Sequence, residues 1–147
     1  MTRITAVWTL SLLLLSGAAS ADPEPWMEKE DPDDLTLIVR IASECPDDQD
    51  AYIELVQRIF MLSRLNPTAS DGLGLYADLQ CFSLPDPERY VFIADVSFVQ
   101  RDGSSTMSFE DQEYLAYGLG GPEEIRVQLR EQTELAITDY LKANFDL

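Results

Sequence analysis

Hydrophobic and polar residues alternate along Leu73 to Arg101, on both sides of a turn formed by Pro85, Asp86, Pro87 and Glu88. An alternation of period two, rich in aromatic and β-branched residues, is typical of strands with one buried face. The stretch therefore predicts two strands joined by a short turn. The predicted buried faces consist of Leu75, Ala77, Leu79, Cys81 and Ser83 in the first strand and Tyr90, Phe92, Ala94, Val96 and Phe98 in the second.

The register of these two strands follows from matching their apolar faces. If Leu84 pairs with Arg89, each apolar position of one strand faces an apolar position of the other, whereas a slip of one residue would turn one face the wrong way. This register puts Asp78 directly opposite Asp95. Like charges in a cross-strand pair are destabilising, so this pair is the first candidate for a functional site.

Three further stretches complete the predicted fold. Residues 35–42 alternate as a first strand, and residues 45–50 begin a helix that ends before Pro67, because a proline and several acids suit a helix N-terminus. Residues 113–119 predict a fourth strand, and a last helix begins at Pro122. Apolar residues at helical spacing predict a buried stripe on this helix, which consists of Ile125, Leu129, Ala136, Ile137, Tyr140, Leu141 and Phe145. The element order is β-α-β-β-(β)-α. It predicts an α+β fold with a small antiparallel sheet of three to four strands and two packed helices.

Two segments precede this domain. Residues 1–21 have a basic start, an apolar centre and an A-x-A site, which predict a cleavable signal peptide. The apolar run is too short to span a membrane, so we expect no membrane anchor after cleavage. Residues 22–34 contain three prolines and seven acids and predict a flexible leader. Trp26 and Met27 stand out in it, and they either dock on the domain, which we favour, or belong to a contact motif. Residues 35–147 then form a single α+β domain.

The chain contains two cysteines, Cys45 and Cys81. They are far apart in sequence and form no C-x-x-C motif, so a structural disulfide is the expected state in an exported domain. Together with the signal peptide, this disulfide predicts a periplasmic or secreted location.

Acidic residues dominate the charge of the chain, whose formal net charge is −17. Removing residues 1–21 takes away Arg3 and no acid, so the charge of the remaining chain is one unit more negative, −18. Such a charge argues against nucleic acid and anionic membrane surfaces as partners, because both repel it. It favours a basic protein partner or divalent cations, or it reflects solubility alone.

The absence of histidine excludes Ser-His-Asp and Cys-His catalysis, as well as zinc or copper sites built on histidine. Carboxylates remain, and Asp78 and Asp95 have three interpretations. They can hold a divalent cation such as Ca²⁺, which takes oxygen ligands. They can act as the acid–base pair of a hydrolase. They can also simply face solvent, and the sequence itself identifies no cofactor.

The segment from Asp102 to Glu113 is similar to the calcium loop of EF-hands at its ligand offsets, which carry Asp102, Ser104, Thr106, Ser108, Glu110 and Glu113. Met107 stands in place of the required glycine, and only three of these positions are acidic. We therefore expect a loop followed by a strand or short helix and infer no calcium site here.

These observations favour an exported, non-enzymatic protein that acts by binding another protein. Two forms of that function fit the sequence: an inhibitor or immunity-type protein, and an accessory subunit of an envelope complex. The alternative is a module that binds a divalent cation or small ligand at Asp78 and Asp95. A carboxylate-based hydrolase would need a cleft beside the same pair. The sequence specifies neither the partner nor the oligomeric state.

Overall fold

Two helices cover one face of a mixed sheet in the computed structural model, which describes residues 25–68, 71–86, 88–102, 105–109 and 114–145. In chain order the elements are a 3-10 helix at Pro25–Met27, β1 at Asp34–Ile41, α1 at Gln49–Leu62, β2 at Asn66–Thr68, β3 at Gly72–Ser83, β4 at Tyr90–Asp102, β5 at Ser105–Phe109, β6 at Leu115–Gly120 and α2 at Pro122–Asn144.

The strands run in the order β2-β1-β3-β4. β4 is long enough to pair with two more strands along the edge that faces away from β3. Its first half pairs with β6 and its second half with β5. The predicted α+β class, with two helices and one disulfide, is confirmed. The sheet is mixed rather than antiparallel, because α1 carries the chain back across the sheet and lets β3 run parallel to β1. It also has six strands among the described residues, where three to four are predicted.

The predicted register of the central hairpin is confirmed. Leu75 pairs with Phe98 and Asp78 with Asp95, and the backbone N–H of Leu84 donates to the carbonyl of Arg89 at 3.4 Å. The matched apolar faces therefore both point towards the helices. The buried positions on this inner face are Leu75, Ala77, Leu79, Cys81, Phe92, Ala94, Val96 and Phe98.

The helices close the core from one side. In α2 the predicted apolar stripe is confirmed, with Ile125, Leu129 and Tyr140 completely buried. Cys45 and Cys81 form the predicted disulfide, which ties the loop after β1 to the inner face of β3. Neither helix in the described ranges is long and apolar enough to cross a membrane.

The described part of the acidic leader packs against the domain. Met27 is buried, and the Trp26 ring stacks on Phe109 with the ring centroids 4.5 Å apart, so the predicted docking of these two residues is confirmed. The Asn144 side chain of α2 donates to the carbonyl of Met27 at 2.9 Å and accepts from the backbone N–H of Lys29 at 2.8 Å. The predicted signal peptide lies outside the described residues.

Candidate functional site

Asp78 and Asp95 lie opposite each other on the sheet face that points away from the helices. Asp78 is nevertheless buried, with 5% of its surface exposed. Arg40 stands beside it in β1 and donates from Nε to Oδ1 of Asp78 at 2.8 Å and from Nη2 to Oδ2. The amide of Gln80 donates to the same Oδ2 at 3.0 Å. Both oxygens of Asp78 therefore accept hydrogen bonds from neighbouring side chains.

These contacts set the charge state of Asp78. Burial raises the pKa of its carboxyl, but the hydrogen bonds from Arg40 and Gln80 and the charge of Arg40 outweigh burial and leave the pKa below its ordinary value. The hydrogen bond to Asp78 is in turn the main reason why the pKa of Arg40 is raised. The guanidinium carbon also lies 5.8 Å from the ring centroid of Tyr76. Asp78 is thus an ionised carboxylate at neutral pH, paired with a permanently charged neighbour.

This arrangement bears on the chemistry open to the predicted pair. A general acid needs a raised pKa, and that of Asp78 is lowered. A calcium ion at this position would have to compete with Arg40 for the same two oxygens. Across the described ranges, no group of three or more His, Cys, Asp or Glu side chains is placed to hold a metal ion. Asp78 and Asp95 are brought together as predicted, and cation binding or catalysis by them stays a prediction.

The described residues of the segment that is similar to an EF-hand loop belong to two paired strands. Asp102 ends β4, and it pairs with Ser105 at the start of β5. Residues 103–104 and 110–113 lie outside the described residues. The backbone from residue 105 to 109 is a strand within the sheet, which is one of the two forms predicted to follow the loop.

An apolar surface that the sequence analysis did not identify lies on the same sheet face as the aspartates. We call it the sheet-face patch, and it consists of the exposed residues Phe82 in β3, Val91 in β4, and Leu115, Tyr117 and Leu119 in β6, together with the half-buried Ile93 in β4. Phe82 pairs with Val91, which pairs with Leu119, so these side chains form a row across three strands. In the next row Ile93 pairs with Tyr117. The patch is therefore continuous across neighbouring strands.

Exposure distinguishes this patch from ordinary scattered surface hydrophobics. Tyr117 is 78% exposed, Phe82 53% and Leu119 47%. A contiguous exposed apolar area on a soluble domain commonly marks an interaction surface, whereas single exposed hydrophobics need no explanation. The sequence contains one sign of this patch, the apolar residues Val91 and Ile93 on the face of β4 that points away from the helices. These two residues alone do not reveal which side chains stand on the neighbouring strands.

Carboxylates border one end of the sheet-face patch. Asp86 and Glu88 stand in the β3–β4 turn beyond Phe82 and Val91, and both are exposed together with Arg89 of the same turn. An apolar centre with a charged rim is the usual anatomy of a protein interface.

A groove of about 540 Å³ adjoins the patch where β1 ends and β3 continues. Its lining includes the ion pair of Arg40 and Asp78 together with Ala42, Gln80 and Phe82. Phe82 belongs to both features, so the groove extends the patch towards the charged part of the sheet face.

Comparison with known proteins identifies no family for this chain. No protein-family model matches the chain, and no curated protein matches it. Among solved structures, it is similar to the rare lipoprotein B from Shewanella oneidensis, with 17% sequence identity over 74% of this chain and 91% of that chain. The TM-score of this superposition is 0.33. At that value the likeness supports no argument about function, so the function is inferred from the chain's own residues.

Proposed function

We propose that this chain is an exported, periplasmic or secreted protein that acts without catalysis, by binding another protein through the sheet-face patch. The patch is the observation that carries the proposal. Its six apolar side chains form neighbouring rows on β3, β4 and β6, on the face that the two helices leave open. Burying such a surface against a partner would remove apolar area from water, which is the main favourable term in protein association.

Tyr117 is the expected centre of the contact. It is the most exposed aromatic residue of the patch and lies beside Ile93, with Leu115 and Leu119 two residues away along β6. Tyrosine is enriched among the residues that dominate binding free energies, because its large ring loses little conformational entropy on burial. A partner pocket that receives this ring would account for its exposure in the free protein.

Export is supported by two independent features. Residues 1–21 have the pattern of a signal peptide, and Cys45 and Cys81 are bridged. Structural disulfides persist in oxidising compartments and are rare in the cytosol.

The absence of catalysis is supported by the chemistry of the available side chains. The chain has no histidine. Among the described carboxylates, Asp78 has a lowered pKa and is held by Arg40. Neither property suits a proton-transferring group near neutral pH. Inhibitor or immunity-type binding and an accessory role in an envelope complex both remain forms of the proposed function.

The proposal is tested by affinity capture from an envelope extract with the exported protein as bait, compared with its Tyr117→Lys and Leu62→Lys variants. Leu62 is a matched control, because it is also 78% exposed but lies at the end of α1. We expect a stoichiometric partner that the Leu62→Lys bait retains and the Tyr117→Lys bait loses. Equal recovery by all three baits, or no partner at all, would contradict the proposal.

A further inference from the structure

Among the described strands, β6 has a free edge beside the sheet-face patch. All six of its residues pair with β4 on one side, from Leu115 with Asp95 to Gly120 with Tyr90. On its other side, no strand of the described chain pairs with it. An unpaired strand edge presents a row of backbone N–H and C=O groups that can accept an added strand.

The inner side of β6 carries only small residues, Ala116, Gly118 and Gly120. A Cβ added to Gly120 would lie 2.8 Å from Cβ of Glu124, and one added to Gly118 would lie 3.1 Å from the ring tip of Phe92. The small residues therefore allow α2 and Phe92 to come close to the backbone of β6. As a result, one flank of α2 lies directly beside the inner side of this strand.

This flank of α2 is acidic. It is located by two contacts: Glu124 touches Gly120, and Asp139 accepts a hydrogen bond from the Tyr114 hydroxyl at 2.9 Å. Helical spacing places further residues along the same flank between these two contacts. They are Gln128, Glu131 and Leu135. Lys142, a basic residue near this flank, pairs with Asp139, and its Nζ lies 3.1 Å from Oδ1. Glu131 is exposed, and Leu135 is 50% exposed.

We propose that the protein partner contributes an extended segment with alternating apolar and basic residues, which adds to the free edge of β6 as a further strand. This inference rests on the proposed function and specifies how the partner is recognised. Side chains of an added strand alternate between the two faces of the sheet. Those on the face away from the helices would extend the two apolar rows that end at Tyr117 and Leu119. Those on the inner face would lie against the α2 flank, where Lys or Arg stems can cover Leu135 and their charges can reach Glu124 and Glu131.

A second copy of this chain suits the edge poorly. Two copies related by a twofold axis would bring the same surface together from both sides. The acidic flanks of two α2 helices would then face each other, in molecules whose sequence carries a net charge of −17. Like-charge contacts across an interface are a source of discrimination against wrong partners. A basic strand removes this repulsion and is therefore the favoured occupant.

The direct test uses four fluorescently labelled peptides and the exported form of this protein. The first is a capped eight-residue peptide of alternating Lys and Val, and the second has Glu in place of Lys. The third is the Lys-Val peptide N-methylated at every Lys, and the fourth is the Lys-Val peptide N-methylated at every Val. Backbone N–H groups of alternate residues in an extended chain point to the same edge, so each methylation pattern blocks only one edge of the peptide.

We expect the Lys-Val peptide to bind and the Glu-Val peptide not to bind. One of the two methylated peptides should bind at least about tenfold more weakly than its parent, since it loses several main-chain hydrogen bonds, and the other should bind nearly as well.

Hydrogen exchange should slow at the backbone amides of residues 115–120. Glu131→Lys should weaken binding of the Lys-Val peptide, whereas Glu54→Lys on the exposed surface of α1 should not. Absent binding, equal binding of both methylated peptides, or unchanged exchange in β6 would overturn strand addition.

The failure of strand addition is distinguishable from the failure of the proposed function. If the captured partner is lost with Tyr117→Lys but leaves exchange in residues 115–120 unchanged, the patch binds a protein and the strand-addition inference is wrong. If no captured protein depends on Tyr117, the proposed function itself is wrong.

Discussion

Arg40 and Asp78 face each other on the neighbouring parallel strands β1 and β3, with Nε of Arg40 2.8 Å from Oδ1 of Asp78. This pair explains how the sheet tolerates Asp78 directly opposite Asp95. The guanidinium supplies the opposite charge and two donors to the buried carboxylate, which would otherwise be costly to bury. Asp78 is therefore half of an ion pair with Arg40 and does not form an isolated acidic pair with Asp95.

The lowered pKa of Asp78 predicts how the stability of the folded protein changes at low pH. Because this pKa is lower in the folded than in the unfolded chain, its contribution to stability is complete above the unfolded value of about 3.9 and is lost as the pH falls through the folded value. Melting temperatures of the parent and of Asp78→Asn are measured between pH 7 and pH 2. The parent should lose more stability than the variant below pH 4, and parallel curves would contradict the assigned ion pair.

Calcium provides a test of the cation-binding alternative. Since Arg40 occupies both oxygens of Asp78, we expect about 5 mM Ca²⁺, above the dissociation constants of extracellular calcium modules, to leave the melting temperature unchanged. A calcium-induced rise that disappears in Asp78→Asn or Asp95→Asn would instead support a cation site. Mg²⁺ at the same concentration controls for ionic strength.

The disulfide is expected to make a large contribution to stability. It links residues 36 positions apart, and closing a loop of that length stabilises the fold by about 3–4 kcal/mol in the chain-entropy model. The double variant Cys45→Ala, Cys81→Ala should therefore show a lower free energy of unfolding by roughly this amount in urea titrations. A loss below about 1 kcal/mol would show that the bridge contributes little to the stability of the native fold.

Gly120 is expected to be required for the contact between β6 and α2. A Cβ at this position would lie 2.8 Å from Cβ of Glu124, an atom fixed to the helix backbone. Gly120→Ala should cost about 1–3 kcal/mol of stability through overpacking. Gly118→Ala is the matched comparison and should cost less, because the contacting atom is the ring tip of Phe92 at 3.1 Å. Equal losses in denaturant titrations would argue against this packing.

Features encoded by local alternation could be predicted from the sequence. The pairing of Leu75 with Phe98 followed from matching two apolar faces, since a shift by one residue exchanges the faces of a strand. The stripe of α2 followed in the same way from helical spacing. Two cysteines in the chain left one intramolecular pairing, and it is formed.

Features that depend on which strands become neighbours could not be predicted in this way. The alternation within β1 contains no information about the direction of β3, so the parallel pairing and the Arg40–Asp78 contact were missed. The sheet-face patch was missed for the same reason, because Phe82, Val91 and Leu119 come from three separate strands. Short strands such as β2 are also too brief for a recognisable period.

The most direct test of the proposed binding function is the affinity of the purified captured partner for three proteins: the parent, Tyr117→Ala and Leu62→Ala. Both substituted side chains are 78% exposed, so neither substitution should disturb the core. We predict that Tyr117→Ala weakens binding by at least about 2 kcal/mol, the range of dominant interface residues, while Leu62→Ala changes it by less than about 0.5 kcal/mol. Equal affinities of all three proteins would contradict binding through the sheet-face patch.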